Sequence, residues 1–106
     1  MDILSRIKRL VAHGQYRLTY KASSELVADG LTPEDAAEAI LNAQTIKKTL
    51  RSRASHRPRG EKLYVIENFN YAGALIYTKG RFSREAGEEI YYVLISAKRS
   101  TLGDQA

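Results

Sequence analysis

The spacing of apolar residues changes once along this chain, near Ala43, and that change restricts the folds it can adopt. Before it, apolar residues recur at the spacing of one helix face, as in Ile3, Ile7, Leu10 and Val11. After it, short runs rich in Val, Ile and Tyr are separated by turn residues, which is typical of strands. Helices followed by strands indicate an α+β fold, in which N-terminal helices pack on one face of a three- to four-stranded antiparallel sheet.

Capping signals divide the first half of the chain into three helices. The first is expected to end at Gly14, because glycine tolerates the backbone conformation that follows a helix. The second has a candidate N-cap at Thr19 and ends near Gly30. The third has Thr32 as N-cap and Pro33 at its first position, where the missing N–H costs nothing.

The second half contains four segments with strand character. They are "TIKKTL", "KLYVIENF", "ALIYTK" and "EIYYVLISAK". The charged segment "GRFSREAGEE" is interpreted as a long turn before the last strand, and residues 99–106 as a disordered tail. The length suits one domain, residues 1–106.

The composition excludes several kinds of site. The chain has no cysteine, which removes disulfides, thiolate nucleophiles and cysteine-based zinc sites. Its two histidines are far apart, so we expect neither a metal site nor a cofactor. The N-terminal segment mixes charged with apolar residues, and no run approaches the length of a membrane span. We therefore expect a cytoplasmic protein, with no membrane partner and no small-molecule ligand.

The basic charge of the chain is concentrated in one stretch. The segment "KKTLRSRASHRPRGEK", Lys47 to Lys62, carries seven Lys or Arg residues and one acid, or +6 against a net charge of +5 for the whole chain. Two interpretations remain open: a solvated connecting loop, or a loop that binds phosphate, since guanidinium groups match phosphate geometry. The four arginines of this stretch are candidate RNA-binding residues: Arg51, Arg53, Arg57 and Arg59.

The last two strands carry side chains that suit phosphate ester chemistry. Strict alternation would place Tyr92, Leu94, Ser96 and Lys98 on one face of the last strand. If Tyr77 in the preceding strand lies on the same side as Lys98, a phenol and an ammonium meet there. RNA supplies its own nucleophile in the 2′-OH, so cleavage needs only a proton acceptor, a proton donor and cations.

The stretch "LSRIKRLVAHGQYRLTYKASSELVADGLTPED" closely resembles the motility quorum-sensing regulator (MqsR) toxins, and "IYTK" and "ISAK" resemble two strands of that family. The resemblance covers roughly residues 3–98. It implies a RelE-like fold and a type II toxin that is a metal-independent endoribonuclease, an mRNA interferase. It also implies that Tyr77 and Lys98 are catalytic, that Lys48 is a further functional lysine, and that His56 is a candidate general acid.

The resemblance further implies a protein partner, a cognate antitoxin that carries a zinc-binding domain and a helix-turn-helix domain. Two positions depart from related patterns. Val65 replaces a glutamine, and Lys21 replaces a histidine that is usual in a related domain family of unknown function. The alternative is therefore a non-catalytic RelE-like module that binds RNA or protein. A weaker alternative is a DNA-binding regulator that uses the basic loop.

Overall fold

The computed structural model describes residues 1–52 and 60–101, apart from the side chain of Ile90. Within these residues the chain forms helices first and then most of its strands, which confirms the α+β prediction. The elements are α1 (Ile3–Ala12), β1 (Tyr16–Leu18), α2 (Tyr20–Ala28), α3 (Pro33–Asn42), β2 (Lys48–Arg51), β3 (Lys62–Phe69), β4 (Leu75–Glu85) and β5 (Glu88–Arg99).

The predicted helix boundaries are confirmed at their caps. The Thr19 side chain accepts a hydrogen bond from the backbone N–H of Ala22 and begins α2. At α3, Thr32 and Asp35 form a reciprocal capping box, so that two otherwise unpaired N–H groups are satisfied. Gly14 follows α1 with a φ of 73°, a conformation that other residues rarely adopt.

The sheet differs from the prediction in strand number and in direction. In the described residues it has five strands in the order β1-β5-β4-β3-β2. Four of them form the predicted antiparallel sheet, but β1 adds an edge strand parallel to β5, with Tyr16 beside Tyr92 and Leu18 beside Leu94. A strand of three residues is too short to show a period of two, which is why the sequence did not reveal it.

The hairpin of β4 and β5 is also longer than predicted. The "GRFSREAGEE" segment is not a long turn, because β4 continues to Glu85 and β5 begins at Glu88. Ala86 and Gly87 have φ values of 52° and 82°, and consecutive positive values suit a tight hairpin turn. The charged residues of this segment therefore lie on an extended, largely exposed hairpin end.

The predicted tail begins too early. Arg99 belongs to β5. Ser100 is buried, and its backbone N–H donates to the carbonyl of Leu75. The packed part of the chain therefore extends through Ser100.

The pairing of β4 with β5 shifts by one residue near the middle of the strands. Lys79 pairs with Ser96, but its neighbour Gly80 pairs with Leu94, so Ile95 has no residue opposite it. Such a β-bulge bends the strand and reverses the alternation of side chains beyond it.

The bulge corrects the predicted face assignment of the last strand. Tyr92 and Leu94, before the bulge, are buried against the helices. Ser96 and Lys98, after it, lie on the other face of the sheet. The prediction that all four share one face was wrong, because strict alternation does not hold across a bulge.

The two faces of the sheet have different roles. The helix face packs against α1, α2 and α3 and contributes Ile66, Ile76, Leu94 and Ala97 to the apolar core. Thr78 also points into this core, where its hydroxyl donates to the Ile66 carbonyl at 2.8 Å. The opposite face, here called the distal face, carries Val65, Tyr77, Lys79 and Lys98.

Helix α2 covers the edge of β5 that extends beyond β1. Glu25 accepts hydrogen bonds from the Ser96 hydroxyl at 2.7 Å and from the Ala97 backbone N–H at 3.2 Å. Asp29 accepts from the Arg99 backbone N–H at 2.7 Å. Two carboxylates thus satisfy strand N–H groups on either side of Lys98, and they hold this part of β5 in place.

Candidate active site on the distal face

Tyr77 and Lys98 are directly opposite each other on neighbouring strands. The register pairs Tyr77 of β4 with Lys98 of β5, and Lys98 Nζ lies 5.7 Å from the centroid of the Tyr77 ring. The condition that the sequence left open, that Tyr77 lies on the same side of the sheet as Lys98, is met. Their pairing depends on the bulge at Ile95, since strict alternation would turn Lys98 toward the helices.

The pair lies in a cavity of about 330 Å³ at the end of the sheet. This volume is at the lower end of the range for small-ligand sites. Its lining combines the pair with Glu67 of β3 and with three polar residues that flank the strands: Lys47 just before β2, and Ser100 and Thr101 just after β5. The cavity thus holds ammonium, phenol, carboxylate and hydroxyl groups together.

Glu67 is the acid of this cavity, and the fold fixes it through both oxygens. Lys47 Nζ lies 2.8 Å from Oε1, and the Ser100 hydroxyl donates to Oε2 at 2.6 Å. Burial alone would raise the pKa of the Glu67 carboxyl, but the hydrogen bonds and the charge of Lys47 outweigh it and lower that pKa. Glu67 is therefore ionised at neutral pH.

Tyr77 has the opposite tendency. Burial raises the pKa of its phenol, and the negative charges of Glu25 and Glu67 raise it further, while Lys47 opposes them. The phenol therefore keeps its proton at neutral pH and is able to donate a hydrogen bond to a bound molecule. Tyr77 and Glu67, opposite each other on adjacent strands, thus place a protonated phenol beside an ionised carboxylate.

The other predicted residues are not gathered in the cavity. Lys48 is exposed on the distal face, but it pairs with Val65 in the neighbouring row, which puts its Cα about 12 Å from that of Tyr77 by ordinary sheet spacings. Arg51 lies on the opposite face and donates to the Gly60 carbonyl at 3.1 Å. The candidates Arg53, His56, Arg57 and Arg59 lie outside the described residues.

Sequence reasoning missed Lys47 and Glu67. Both have ordinary explanations in the sequence, Lys47 as part of a charge run and Glu67 as the polar position of an alternating strand. The signal that identifies them is the register, which places Glu67 opposite Tyr77. That register cannot be read from composition or local spacing.

Several cations lie on the distal face outside the cavity. The distal face carries Arg17, Lys79 and Arg81 in addition to the cavity lysines. On the helical side, Glu34 and Asp35 begin α3. In the described residues no three His, Asp or Glu side chains are placed to hold a metal ion.

Comparison of the chain with protein-family models, with curated proteins and with solved structures found no match. Among the helices of the described residues, none is both long enough and apolar enough to span a membrane.

Proposed function

We propose that the chain is a cytoplasmic endoribonuclease toxin of RelE-like fold that cleaves RNA through attack of the 2′-OH on the adjacent phosphate. The observation that carries this proposal is the cavity in which Tyr77, Lys98 and Glu67 meet. It brings a proton donor, a cation and a proton acceptor to one place, and 2′-OH attack needs these three groups.

The roles follow from the charge states. Ionised Glu67 accepts the proton of the 2′-OH as the 2′-oxygen bonds to phosphorus. Lys98 stabilises the negative charge of the pentavalent phosphorus. The bond to the 5′-oxygen then breaks, and Tyr77 gives that oxygen its proton. The products are a 2′,3′-cyclic phosphate and a free 5′-hydroxyl.

The other predicted residues have supporting roles in this proposal. Lys48, one row away on the same face, contributes positive charge along the RNA. Arg51, Arg53, Arg57 and Arg59 would bind the backbone, and His56 remains a candidate acid. A cognate antitoxin with zinc-binding and helix-turn-helix domains would neutralise the protein. Growth arrest on expression, rescued by the product of the neighbouring gene, is the expected cellular result.

The test is cleavage of an end-labelled RNA in the presence of EDTA. We expect fragments ending in a 2′,3′-cyclic phosphate from the parent, and a loss of roughly 10²- to 10⁴-fold for Tyr77→Phe, Lys98→Ala and Glu67→Gln. Matched controls are Tyr71→Phe and Arg9→Ala, which change an exposed tyrosine and an exposed cation away from both the cavity and the basic stretch. Parental rates for both Tyr77→Phe and Lys98→Ala would refute the catalytic assignment.

One observation favours a second candidate, the non-catalytic binding module. Both oxygens of Glu67 are engaged by Lys47 and Ser100, as in an ion pair that serves stability. In that case the protein would bind RNA without cutting it, and Glu67→Gln would lower stability while leaving RNA intact in every sample. Binding by filter retention beside the cleavage assay separates the two functions.

A further inference from the structure

A second feature of the distal face lies far from the cavity. The guanidinium carbon of Arg17 in β1 lies 3.8 Å from the centroid of the Tyr91 ring in β5. Arg17 pairs with Val93 in the register, so its side chain reaches along β5 to the next residue on the same face. The two groups form one stacked unit, here called the Arg17–Tyr91 stack.

The stack leaves the guanidinium available to another molecule. Arg17 is exposed, and within residues 1–52 and 60–101 it makes no ion pair and no side-chain hydrogen bond. A surface cation–π contact contributes only about 0.5–1 kcal/mol to the free energy of unfolding. A contribution to stability therefore does little to explain why the two side chains stack. Stacking also holds the guanidinium in one orientation, so less side-chain entropy is lost when a ligand binds.

Cations connect the stack to the cavity. Arg81 pairs with Val93, the residue that also pairs with Arg17, so the two arginines flank one position of β5. Lys79 is the next residue of β4 on this face, and Tyr77 follows it, at steps of about 7 Å for every second residue. Arg81 has a partial partner in Glu61, with Nε 3.8 Å from Oε1. Cations about 7–10 Å apart along this face suit a polymer that carries one negative charge on each of its units.

We infer that the Arg17–Tyr91 stack is a binding subsite for single-stranded RNA, remote from the bond that is cleaved. A base stacks on the exposed guanidinium plane while its phosphate accepts hydrogen bonds from the guanidinium edge. The inference rests on the proposed function for the identity of the ligand. Lys98 lies seven positions after Tyr91 in β5, on the order of 20 Å away, so the ligand is an oligonucleotide rather than a single nucleotide.

The experiment measures binding separately from cleavage. A labelled single-stranded oligoribonucleotide is titrated by fluorescence anisotropy in EDTA, with every variant built on Tyr77→Phe. We expect Arg17→Ala and Tyr91→Leu to weaken binding roughly 5- to 150-fold, and Arg17→Ala to reduce the salt dependence by about one unit. Arg17→Lys keeps the charge but loses the planar stack, so its affinity should fall between those of the parent and Arg17→Ala.

Two controls make the result specific. Arg9→Ala removes an exposed arginine on the helical side and should bind as the parent does. A dinucleoside phosphate, measured by competition, fills the cavity alone, and its affinity should not change in Arg17→Ala. If Arg17→Ala weakens the binding of both ligands equally, Arg17 affects the structure of the protein and not a remote subsite, and the inference is overturned. It is also overturned if Arg17→Ala binds the oligonucleotide as tightly as the parent.

The remaining outcomes separate this inference from the proposed function. If polyglutamate displaces the oligonucleotide as effectively as unlabelled RNA, the face recognises charge alone and suits an acidic protein, and the RNA subsite is refuted. If RNA binding depends on Arg17 but the protein with no substitution does not cut RNA, the subsite is supported and the endoribonuclease proposal fails. If the parent cuts RNA but binds it independently of Arg17, the endoribonuclease proposal is supported and the subsite is refuted.

Discussion

Replacing Gly80 with alanine tests the close packing of the Tyr92 ring against Gly80 in the centre of the sheet. A Cβ at Gly80 would lie 2.5 Å from Cζ, 2.6 Å from Cε2 and 2.7 Å from the hydroxyl oxygen of Tyr92. Ordinary van der Waals contact begins at 3.4 Å, so the ring would have to retreat by about 1 Å.

The Tyr92 ring has little room to retreat. It is fully buried, and Phe82 packs edge-on against it with the ring centroids 5.8 Å apart. Phe82 in turn meets Tyr64 at 5.7 Å. Overpacking of a well-filled core costs about 1–3 kcal/mol, and the rigid surroundings favour the upper end. A loss of about 3 kcal/mol corresponds to a fall of roughly 12–24 °C in Tm for a domain of this size.

The assay is thermal and denaturant unfolding of Gly80→Ala in two backgrounds. With Tyr92 present we expect the full loss. In a Tyr92→Leu background the added methyl group meets a shorter side chain, and the further loss should be under about 1 kcal/mol. An equal loss in both backgrounds would show that backbone freedom at Gly80, and not the ring, explains the glycine.

Three further predictions concern stability and pH. Burial raises the pKa of the Tyr92 phenol, and its hydroxyl has no hydrogen-bond partner among the described residues, so Tyr92→Phe should leave the free energy of unfolding unchanged or increase it by up to about 2 kcal/mol. A loss above about 1 kcal/mol would point to a missed partner. Glu25→Ala should cost about 1–3 kcal/mol at neutral pH by leaving the Ala97 N–H unpaired, whereas Glu25→Gln, which keeps an acceptor, should cost less. Burial raises the pKa of Glu25, but hydrogen bonds from Ser96, Ala97 and Lys21 lower it overall, below the ordinary 4.5. The stability it adds is complete above that value and is lost as the pH falls through the folded pKa; a Glu25→Gln variant with the same acid sensitivity as the parent would contradict this.

Local sequence signals predicted the helices and strand β3 well, but they missed the continuation of β4 and β5 through the charged hairpin end. Thr19, Thr32 and Pro33 act through their own backbone neighbours, so their effects appear in a short window of sequence. The boundaries of β3 coincide with the predicted segment for the same reason. The parallel pairing of β1 with β5 escaped prediction because it depends on a partner that is distant in sequence.

The candidate site was predictable only in part. Tyr77 and Lys98 were identified, yet the reason they meet, an unpaired Ile95, leaves no clear mark in a run of apolar residues. Glu67 belongs to the site because Tyr77 lies opposite it on β4, and Lys47 belongs to it because its ammonium binds the Glu67 carboxylate, twenty residues later in the chain. Local sequence therefore supplies candidate groups, while the register decides which of them share a cavity.

The bulge also has a consequence for how β5 can vary. A saturation-mutagenesis profile of this strand should alternate between tolerant and intolerant positions, and the phase of that alternation should invert at Ile95. Before it, Tyr92 and Leu94 face the apolar core and should be the least tolerant positions, and after it, Ala97 should be. Deleting Ile95 would remove the bulge and restore one continuous phase, with Ala97 still facing the core and Lys98 still on the distal face, whereas keeping Ile95 in a strand without the bulge would direct the Lys98 ammonium into the apolar core.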